Sequence, residues 1–191
     1  MQFTTVVLNL DSRPDRLAQV TEELENQLIK FERFSAVKHE IGYKGYNASI
    51  KGIFEKYKEV ENLLIIEDDC YFEGHFYQSV LDELPDDYDG FWLGSNLRSV
   101  HDKHYNENIS ILEDGWTTHA VFFSKAFRSW CLENWDGELV FDEWVRVNAL
   151  PVRKCYVLRP MIAFQRPSKS DITGGYADYT NTWWWAKKYL V

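Results

Sequence analysis

The stretch LLIIEDD, residues 63 to 69, places four aliphatic residues directly before three carboxylates. An uninterrupted aliphatic strand is typical of a parallel sheet that is covered on both faces. Ligands of such sheets bind beyond the carboxyl ends of the strands. Glu67, Asp68 and Asp69 are therefore expected at a ligand-binding edge of the sheet. A solvated acidic turn after the strand is the alternative.

Hydrophobic periodicity predicts alternating strands and helices along the whole chain. The predicted strands are 4–10, a segment within 31–37, 63–66, 90–94, 119–123 and 155–158. The first predicted helix follows Ser12 as N-cap and has Leu17, Val20, Leu24 and Leu28 on its inner face. The other predicted helices are 47–57, 75–84, 124–132 and 142–150. Gly42 and Gly45 are expected to interrupt the pattern before the second helix.

This alternation predicts an α/β fold, Rossmann-like, with a mostly parallel central sheet flanked by helices. At about 150 residues per domain, the 191 residues predict one domain over 1–191. No repeat or linker interrupts the chain. Three cysteines without a CxxC spacing are expected to be buried thiols in a reducing compartment.

The formal net charge of −9 argues against nucleic acid as a partner, because its phosphates would be repelled. An anionic small ligand would then need a local cation, which a bound metal ion supplies. No stretch is long and apolar enough to span a membrane, and the N-terminus lacks the features of a signal peptide. The sequence therefore predicts a cytoplasmic protein without a transmembrane segment.

The acidic cluster has the chemistry of a site for a hard cation. Side chains alternate along an extended segment, so Glu67 and Asp69 are expected to face one cleft while Asp68 points away. Carboxylate oxygens suit Mg²⁺ or Mn²⁺ and are poor ligands for zinc. Mg²⁺ takes one or two protein carboxylates and completes its shell with phosphates and water. A metal–diphosphate site is the resulting hypothesis.

An ordered set of short motifs resembles glycosyltransferase family 25, which includes lipooligosaccharide galactosyltransferases, and the wider group with the GT-A nucleotide-sugar fold. The motifs are NLDSRPDR (9–16), GYNASI (45–50), IEDD (66–69), Thr118 with HAVFF (119–123), Ser124 and Lys125, Pro160, Gln165, and SDI (170–172). The set spans most of the chain in the family's order. The family's Cys and His are here Tyr46 and Ile50, so a role that depends on that His is absent or relocated.

The resemblance implies a metal-dependent transferase with Mn²⁺ or Mg²⁺ and a nucleotide-diphosphate sugar, UDP-glucose or UDP-galactose, as donor. It implies an oligosaccharide or glycoprotein acceptor and an inverting mechanism. The resemblance is also compatible with a distant viral or bacterial member, such as a capsid-glycan transferase of a large DNA virus. The alternative is a non-catalytic glycan-binding module that kept the fold. A metal-dependent phosphoryl or nucleotidyl enzyme ranks third, because no glycine-rich phosphate loop follows the first strand.

Three groups of residues are the candidates for the site. The resemblance implies metal binding by Glu67, Asp69 and Asp171. Contact with the nucleotide sugar is expected from Asn9, Asp11, Arg13, Arg16, Lys51 and Asp68. The two arginines are equally typical of surface charge at a helix start, and Lys51 is more typical of a solvated lysine. Asp142 is the expected catalytic base and Glu143 the second choice. Carboxylates at a helix start are also favoured by the helix dipole alone.

Four further features have two interpretations each. The polar segment 167–180 has the composition of a mobile lid or of a plain loop. If it is a lid, Asp171 and Gln165 are expected to meet the metal or the donor when it closes. His119 is interpreted as a core histidine rather than a ligand of the donor sugar. Trp116 and Trp183–Trp185 are expected to stack on a sugar or to pack within the fold.

Overall fold

A sheet of seven strands runs through the centre of the computed structural model, which describes residues 1–97 and 104–180. In chain order the strands are β1 (Thr4–Asn9), β2 (Glu32–Ser35), β3 (Asn62–Glu67), β4 (Cys70–Phe72), β5 (Gly90–Trp92), β6 (Asn96–Leu97), β7 (Ile109–Ile111), β8 (Gly115–Trp116), β9 (Ala120–Ser124), β10 (Cys155–Leu158), β11 (Ala163–Gln165), β12 (Ser168–Lys169) and β13 (Tyr176–Ala177). The helices are α1 (Pro14–Asn26), α2 (Gly42–Lys56), a 3-10 helix (Gln78–Glu83), α3 (Lys125–Asn134), α4 (Phe141–Trp144) and a π-helix (Val145–Ala149).

The central sheet has the strand order β2-β1-β3-β9-β5-β10-β7. β1 pairs in parallel with β2 and β3, and β5 pairs in parallel with β10. β9 is antiparallel to both of its neighbours, and β7 is antiparallel to β10. Five of the seven strands therefore share one direction. This arrangement confirms the predicted α/β fold with a mostly parallel central sheet flanked by helices.

The aliphatic strands are buried on both faces of the sheet, as their sequences predict. Within β1, Val6 and Leu8 pack on one face with α2, while Val7 packs on the other face with α1. Residues of β3 divide in the same alternating way, with Leu63 and Ile65 on the α2 side. Uninterrupted aliphatic runs are thus required here, because helices cover both sides of each strand.

The first three strands create a switch in chain direction at β1. The chain leaves β1 through α1 to β2 on one side, then returns through α2 to β3 on the other side. Leu8 of β1 pairs with Glu67 of β3, so the carboxyl ends of these two strands lie next to each other. Loops diverge at such a point and leave a crevice, where ligands of open α/β sheets bind.

The two helices beside this crevice begin at other residues than predicted. α1 starts at Pro14 with Arg13 as N-cap, and no side chain caps it, so the predicted Ser12 cap is wrong. Proline suits the first helical position because its ring pre-sets φ and its missing N–H would have had no partner. Leu28 lies beyond the end of α1 and is exposed rather than on the inner face.

α2 begins at Gly42, five residues before the predicted start. Gly42 and Gly45 do not interrupt the helix, and instead allow other backbone segments to approach it. A Cβ at Gly42 would lie 2.4 Å from the carbonyl oxygen of Asp171, and one at Gly45 would lie 2.4 Å from that of Val37. Both glycines therefore bring loops against the first turns of α2, close to the crevice.

The later helices lie where they were predicted, but two of them are of another helix type. The predicted helix 75–84 is a short 3-10 helix, and the predicted helix 142–150 is α4 followed by the π-helix. The predicted cap of α3 is confirmed, because Ser124 Oγ accepts a hydrogen bond of 3.1 Å from the backbone N–H of Phe127. The three cysteines are buried and free, as expected. Within the described ranges, no helix is both long and apolar enough to cross a bilayer.

Arg128 is expected to be a major stabilising residue of this fold. Its buried guanidinium donates to the carbonyl oxygens of Phe123 (2.5 Å), Tyr57 (3.3 Å) and Val60, and so joins the end of β9 to the loop after α2. Arg128→Met would leave these acceptors desolvated, and we expect the free energy of unfolding to fall by about 3–5 kcal/mol. Denaturant unfolding measures this loss. Lys58→Met, on the exposed surface nearby, is the control and should change stability by no more than about 0.5 kcal/mol.

Candidate active site

A cavity of about 420 Å³ lies at the carboxyl ends of β1 and β3. Its walls include residues from both strand ends, from α2, from α4 and from the late segment around β12 and β13. Among the predicted site residues, the cavity is lined by Asn9, Arg16, Glu67, Asp68, Asp69, Asp142 and Asp171. The structure therefore brings together carboxylates that lie more than 100 residues apart in the chain.

Asp68 is tied to the first strand and the first helix. Its Oδ2 accepts a hydrogen bond of 2.7 Å from Asn9 Nδ2, and its Oδ1 accepts one of 3.1 Å from Arg16. Asp68 and Arg16 are both buried. Asp68 thus turns towards β1 and α1, away from the hydrogen-bond partners of Glu67, although it still lines the cavity. Its contacts anchor the turn that carries the other two carboxylates.

Glu67 is held by hydroxyl groups from two other elements. Glu67 Oε1 accepts a hydrogen bond of 2.9 Å from Tyr46 of α2, and Thr118 lies 3.4 Å from the same oxygen. The hydroxyls of Tyr46 and Thr118 are themselves 2.5 Å apart. Burial raises the pKa of Tyr46, with the nearby Glu67 charge as the second cause. The phenol therefore stays protonated and remains a hydrogen-bond donor to Glu67.

The pKa values of the Glu67 and Asp69 carboxyl groups are raised. Desolvation raises the pKa of Glu67, and the charge of Asp69 raises it further. Desolvation also raises the pKa of Asp69, against the lowering effect of Arg16, and Asp68 adds to the rise. Carboxylates whose charged forms are disfavoured in this way are stabilised when a cation binds beside them.

The donor set fits a hard divalent cation. Glu67 and Asp69 are bridged by the amide of Gln165, whose Nε2 lies 3.5 Å from one oxygen of each. Within the described part of the chain, no three His, Cys, Asp or Glu residues are grouped to hold a metal ion. Two carboxylates are nevertheless the usual protein contribution to a Mg²⁺ site completed by substrate phosphates. Zinc is disfavoured, since no His or Cys side chain is among these groups.

Asp142 lies on the same cavity, at the start of α4. Burial is the largest cause that raises its pKa, and the neighbouring charge of Glu143 adds to the rise. The backbone N–H groups of Glu143 and Thr117 oppose this shift, and the former donates to Asp142 Oδ1 at 2.8 Å. A carboxylate with an elevated pKa that faces a cavity is suited to accept a proton.

The late segment 168–173 closes one side of the cavity. Arg16 Nη2 donates to Ser168 Oγ (2.7 Å) and to the carbonyl oxygen of Lys169 (2.8 Å). Arg13, which does not line the cavity itself, donates to Asp171 at 2.7 Å. Arg16 also lies 3.7 Å from Asp171 and 3.7 Å from Asp69. Arg16 therefore connects this segment to the acidic cluster, whereas Arg13 connects Asp171 to Asp15 in the first turn of α1.

Three candidate residues point to other partners. Asp11 is exposed, and its carboxylate pairs with Arg33 at 2.5 Å. Lys51 donates to the carbonyl oxygen of Asp136 at 3.2 Å and lies 5.0 Å from the centre of the Trp135 ring. Glu143 pairs with Arg146 at 2.6 Å and accepts from Trp116. The structure does not bring these three side chains to the cavity wall.

His119 is a core residue, as expected, and is fully buried. Its Nε2 lies 3.0 Å from the carbonyl oxygen of Ala163, and its Nδ1 lies 3.0 Å from Thr117 Oγ1. Because a carbonyl only accepts, Nε2 carries the proton. Burial lowers the pKa of His119 to about 4, so the ring is neutral.

The tryptophans predicted to stack on a sugar or to pack within the fold are described only in part. Arg146 lies over the Trp116 ring, 5.1 Å from its centre, while Trp183–Trp185 lie outside the described residues.

Sequence reasoning missed the residues that position these carboxylates. Tyr46 holds Glu67, and Asn47 donates to Leu139 O at 2.9 Å and accepts from the Phe141 N–H at 3.1 Å, which fixes the start of α4. Thr117 has φ of 74°, an uncommon value for a β-branched residue. The sequence feature that could have identified Tyr46 is its spacing of four residues from Ile50. This spacing places the Tyr46 ring and its hydroxyl on the inner face of α2.

No protein-family model and no curated protein matches the chain, whereas solved structures do. A197 from STIV matches with a TM-score of 0.56 and 13% identity, over 87% of this chain and 86% of that one. A putative glucose-1-phosphate thymidylyltransferase from Bacillus anthracis matches with a TM-score of 0.52 and 10% identity, over 97% and 96% of the two chains. A glycosyltransferase involved in the glycosylation of the major capsid of PBCV-1 has a TM-score of 0.49 and 11% identity, over 98% and 100%.

These likenesses define the class of the fold. At such low identities they show the fold alone, and the assignment rests on the first two structures, whose TM-scores exceed 0.5. The chain has a GT-A-like α/β fold, which it shares with the putative glucose-1-phosphate thymidylyltransferase. Membership of glycosyltransferase family 25 stays a prediction from the sequence motifs.

Proposed function

We propose that the protein is a metal-dependent glycosyltransferase that moves a hexose from UDP-glucose or UDP-galactose to a hydroxyl of an oligosaccharide or glycoprotein, with inversion. One observation carries the proposal. The turn after β3 presents Glu67, Asp68 and Asp69 to a cavity of about 420 Å³, and Asp142 lies on the same cavity. A site with several acidic groups for an ion and a separate carboxylate for a proton suits this reaction.

The charge of the cavity supports the requirement for a cation. Among the residues that the structure describes, five carboxylates line it, whereas only Arg16, Lys38 and Arg166 contribute lysine or arginine charge. Arg16 is largely neutralised by Asp68, and Arg166 pairs with Glu23. A diphosphate would be repelled by this surface unless a cation accompanied it. Glu67 and Asp69 would hold such an ion, which would stabilise the charge that develops on the leaving diphosphate.

The remaining side chains have separate tasks in the proposed reaction. Asn9 and Arg16, at the first strand end and the first helix, contact the nucleotide part of the donor. Asp142 accepts the proton of the acceptor hydroxyl as that oxygen attacks the anomeric carbon. A single displacement with the base opposite the leaving group inverts the configuration. The segment 168–173 then limits the access of water to the donor.

Ligand-dependent thermal unfolding of the wild-type protein tests the proposal. We expect UDP at about 100 times its Kd to stabilise the protein by about 2.7 kcal/mol in the presence of Mn²⁺, and not in EDTA. For a chain of this size the midpoint would rise by about 5–10 °C. GDP, CMP and dTDP serve as matched nucleotides. Stabilisation by UDP that is equal in Mn²⁺ and in EDTA would contradict the metal requirement.

A non-catalytic glycan-binding module is the second candidate. The observation that favours it is the position of Arg16, within 3.1 to 3.7 Å of Asp68, Asp69 and Asp171, because an internal cation already offsets part of the acidic charge. Such a module would bind oligosaccharides without any metal-linked nucleotide affinity. The same unfolding experiment, with oligosaccharides added in place of nucleotides, separates the two functions.

A further inference from the structure

Gln165 is placed beside the acidic turn by strand pairing. It is the last residue of β11, and it lies opposite Cys70, the first residue of β4, which follows Asp69 directly. The next residue, Arg166, donates its backbone N–H to the carbonyl oxygen of Asp69 at 2.8 Å. The position of Gln165 relative to the carboxylates is therefore set by backbone hydrogen bonds and does not depend on a mobile loop.

The amide of Gln165 has poor hydrogen-bond partners. Its Nε2 lies 3.5 Å from Glu67 Oε2 and 3.5 Å from Asp69 Oδ1, which is long for an N–H···O hydrogen bond. Its Oε1 is buried and has no hydrogen-bond partner among the residues that the structure describes. The side chain as a whole is only 7% exposed, yet it lines the cavity. A buried amide oxygen without a partner is rare and calls for an explanation.

A purely structural role for Gln165 explains the position of its Nε2 but not that of its Oε1. The N–H groups of Gln165 separate two carboxylates, which a neutral spacer would do equally well. A spacer gives no reason for a second polar atom that is buried without a partner, since leucine or methionine would fill the same volume without that cost. An amide oxygen next to two carboxylates, in contrast, is a neutral hard ligand for Mg²⁺ or Mn²⁺.

We propose, on the basis of the function above, that Gln165 is the third protein ligand of the divalent ion, together with Glu67 and Asp69. On binding, the amide rotates about its terminal bond, and Oε1 replaces Nε2 between the carboxylates. The rotation breaks the two long Nε2 contacts, and Oε1 has no partner to lose. It also moves the Nε2 group into the buried place of Oε1, so the bond to the ion must offset the loss of both N–H contacts. Two carboxylates and one neutral ligand balance the charge of a divalent ion, whereas a third carboxylate would make the site negative and repel a diphosphate.

Mn²⁺ titration of the metal-free protein, without nucleotide, tests this role independently of activity. Free Mn²⁺ is followed by electron paramagnetic resonance. We expect Gln165→Leu to raise the Kd for Mn²⁺ by about tenfold or more, the scale of losses seen when groups at metal sites are changed. Gln165→Glu keeps the length and adds a carboxylate, so we expect it to lower the Kd. Gln19→Glu, on the exposed face of α1, adds the same charge away from the cavity and should leave the Kd unchanged.

The results separate this inference from the proposed function. Wild-type affinity for Mn²⁺ in Gln165→Leu, or weaker binding in Gln165→Glu, would overturn the ligand role while the wild-type protein still shows metal-linked binding of UDP. A wild-type protein that binds no Mn²⁺, with or without UDP, would overturn the proposed function and this inference together. Circular dichroism establishes that each variant is folded, and Gln165→Glu supplies the test alone if Gln165→Leu does not fold.

Discussion

Asp69→Asn is expected to abolish the stabilisation by UDP that depends on Mn²⁺ and to lower kcat/KM by about 10³-fold or more. We expect a large loss because the proposed ion would have few protein ligands, and because Arg16 and Arg166 of the cavity wall already pair with Asp68 and Glu23. Thermal unfolding with UDP, in Mn²⁺ and in EDTA, measures the first effect. Release of UDP from the sugar nucleotide measures the second.

The metal-free stability of Asp69→Asn distinguishes loss of a ligand from loss of structure. Desolvation and Asp68 raise the pKa of Asp69, so its ionised form is disfavoured in the folded protein. The neutral asparagine removes this penalty at neutral pH. We therefore expect the variant to unfold, without metal, at the wild-type temperature or above it. A much lower unfolding temperature together with retained metal-linked binding of UDP would contradict the assigned role.

Asp142→Asn is expected to lower kcat by about 10²- to 10⁴-fold and to leave the affinities for Mn²⁺ and UDP unchanged. The amide fills the same space but cannot accept the proton of the acceptor hydroxyl. Asp142 lies on the cavity wall with a pKa that burial raises, as a base for this step requires. Steady-state kinetics with saturating donor measures kcat, and thermal unfolding with UDP measures donor binding.

Glu143→Gln is the matched control for Asp142→Asn. Glu143 is adjacent in sequence and has the same charge, but its carboxylate pairs with Arg146 and accepts from Trp116. We expect this variant to keep its activity within a few-fold and to lose some stability. Equal losses of kcat in both variants would indicate a structural effect on α4. An unchanged kcat in Asp142→Asn would exclude it as the base.

The acidic turn and the strand before it could be predicted from local sequence. A run of four aliphatic residues that ends in Glu67 follows directly from burial on both faces of a sheet, and the switch of chain direction puts such an end beside Asn9. Asp142 could also be identified as a candidate from the sequence, because it is an acidic residue at a predicted helix start. These features depend on spacing and residue type within one element, which a sequence displays directly.

The start of α2 and the partners of the carboxylates could not be predicted in this way. Gly42 interrupts a helical pattern by propensity, yet it is helical because the backbone at Asp171 packs against it. Propensity is a weak preference that tertiary contacts override. Lys51 was predicted either to contact a phosphate or, in preference, to be solvated, and its ammonium group lies over Trp135. Which partner a long charged side chain takes is decided by what the fold places within its reach.

The sequence by itself determined the α/β class, the mostly parallel sheet and the acidic edge, because hydrophobic periodicity and residue chemistry are local properties. Only the tertiary structure decided that Tyr46 holds Glu67, that Arg16 joins Asp68 to the late segment, and that Gln165 lies between two carboxylates. These contacts join residues 21 to 152 positions apart. They form because the pairing of β4 with β11 and the crossover of α2 bring distant segments to one sheet edge, and no local pattern encodes that register.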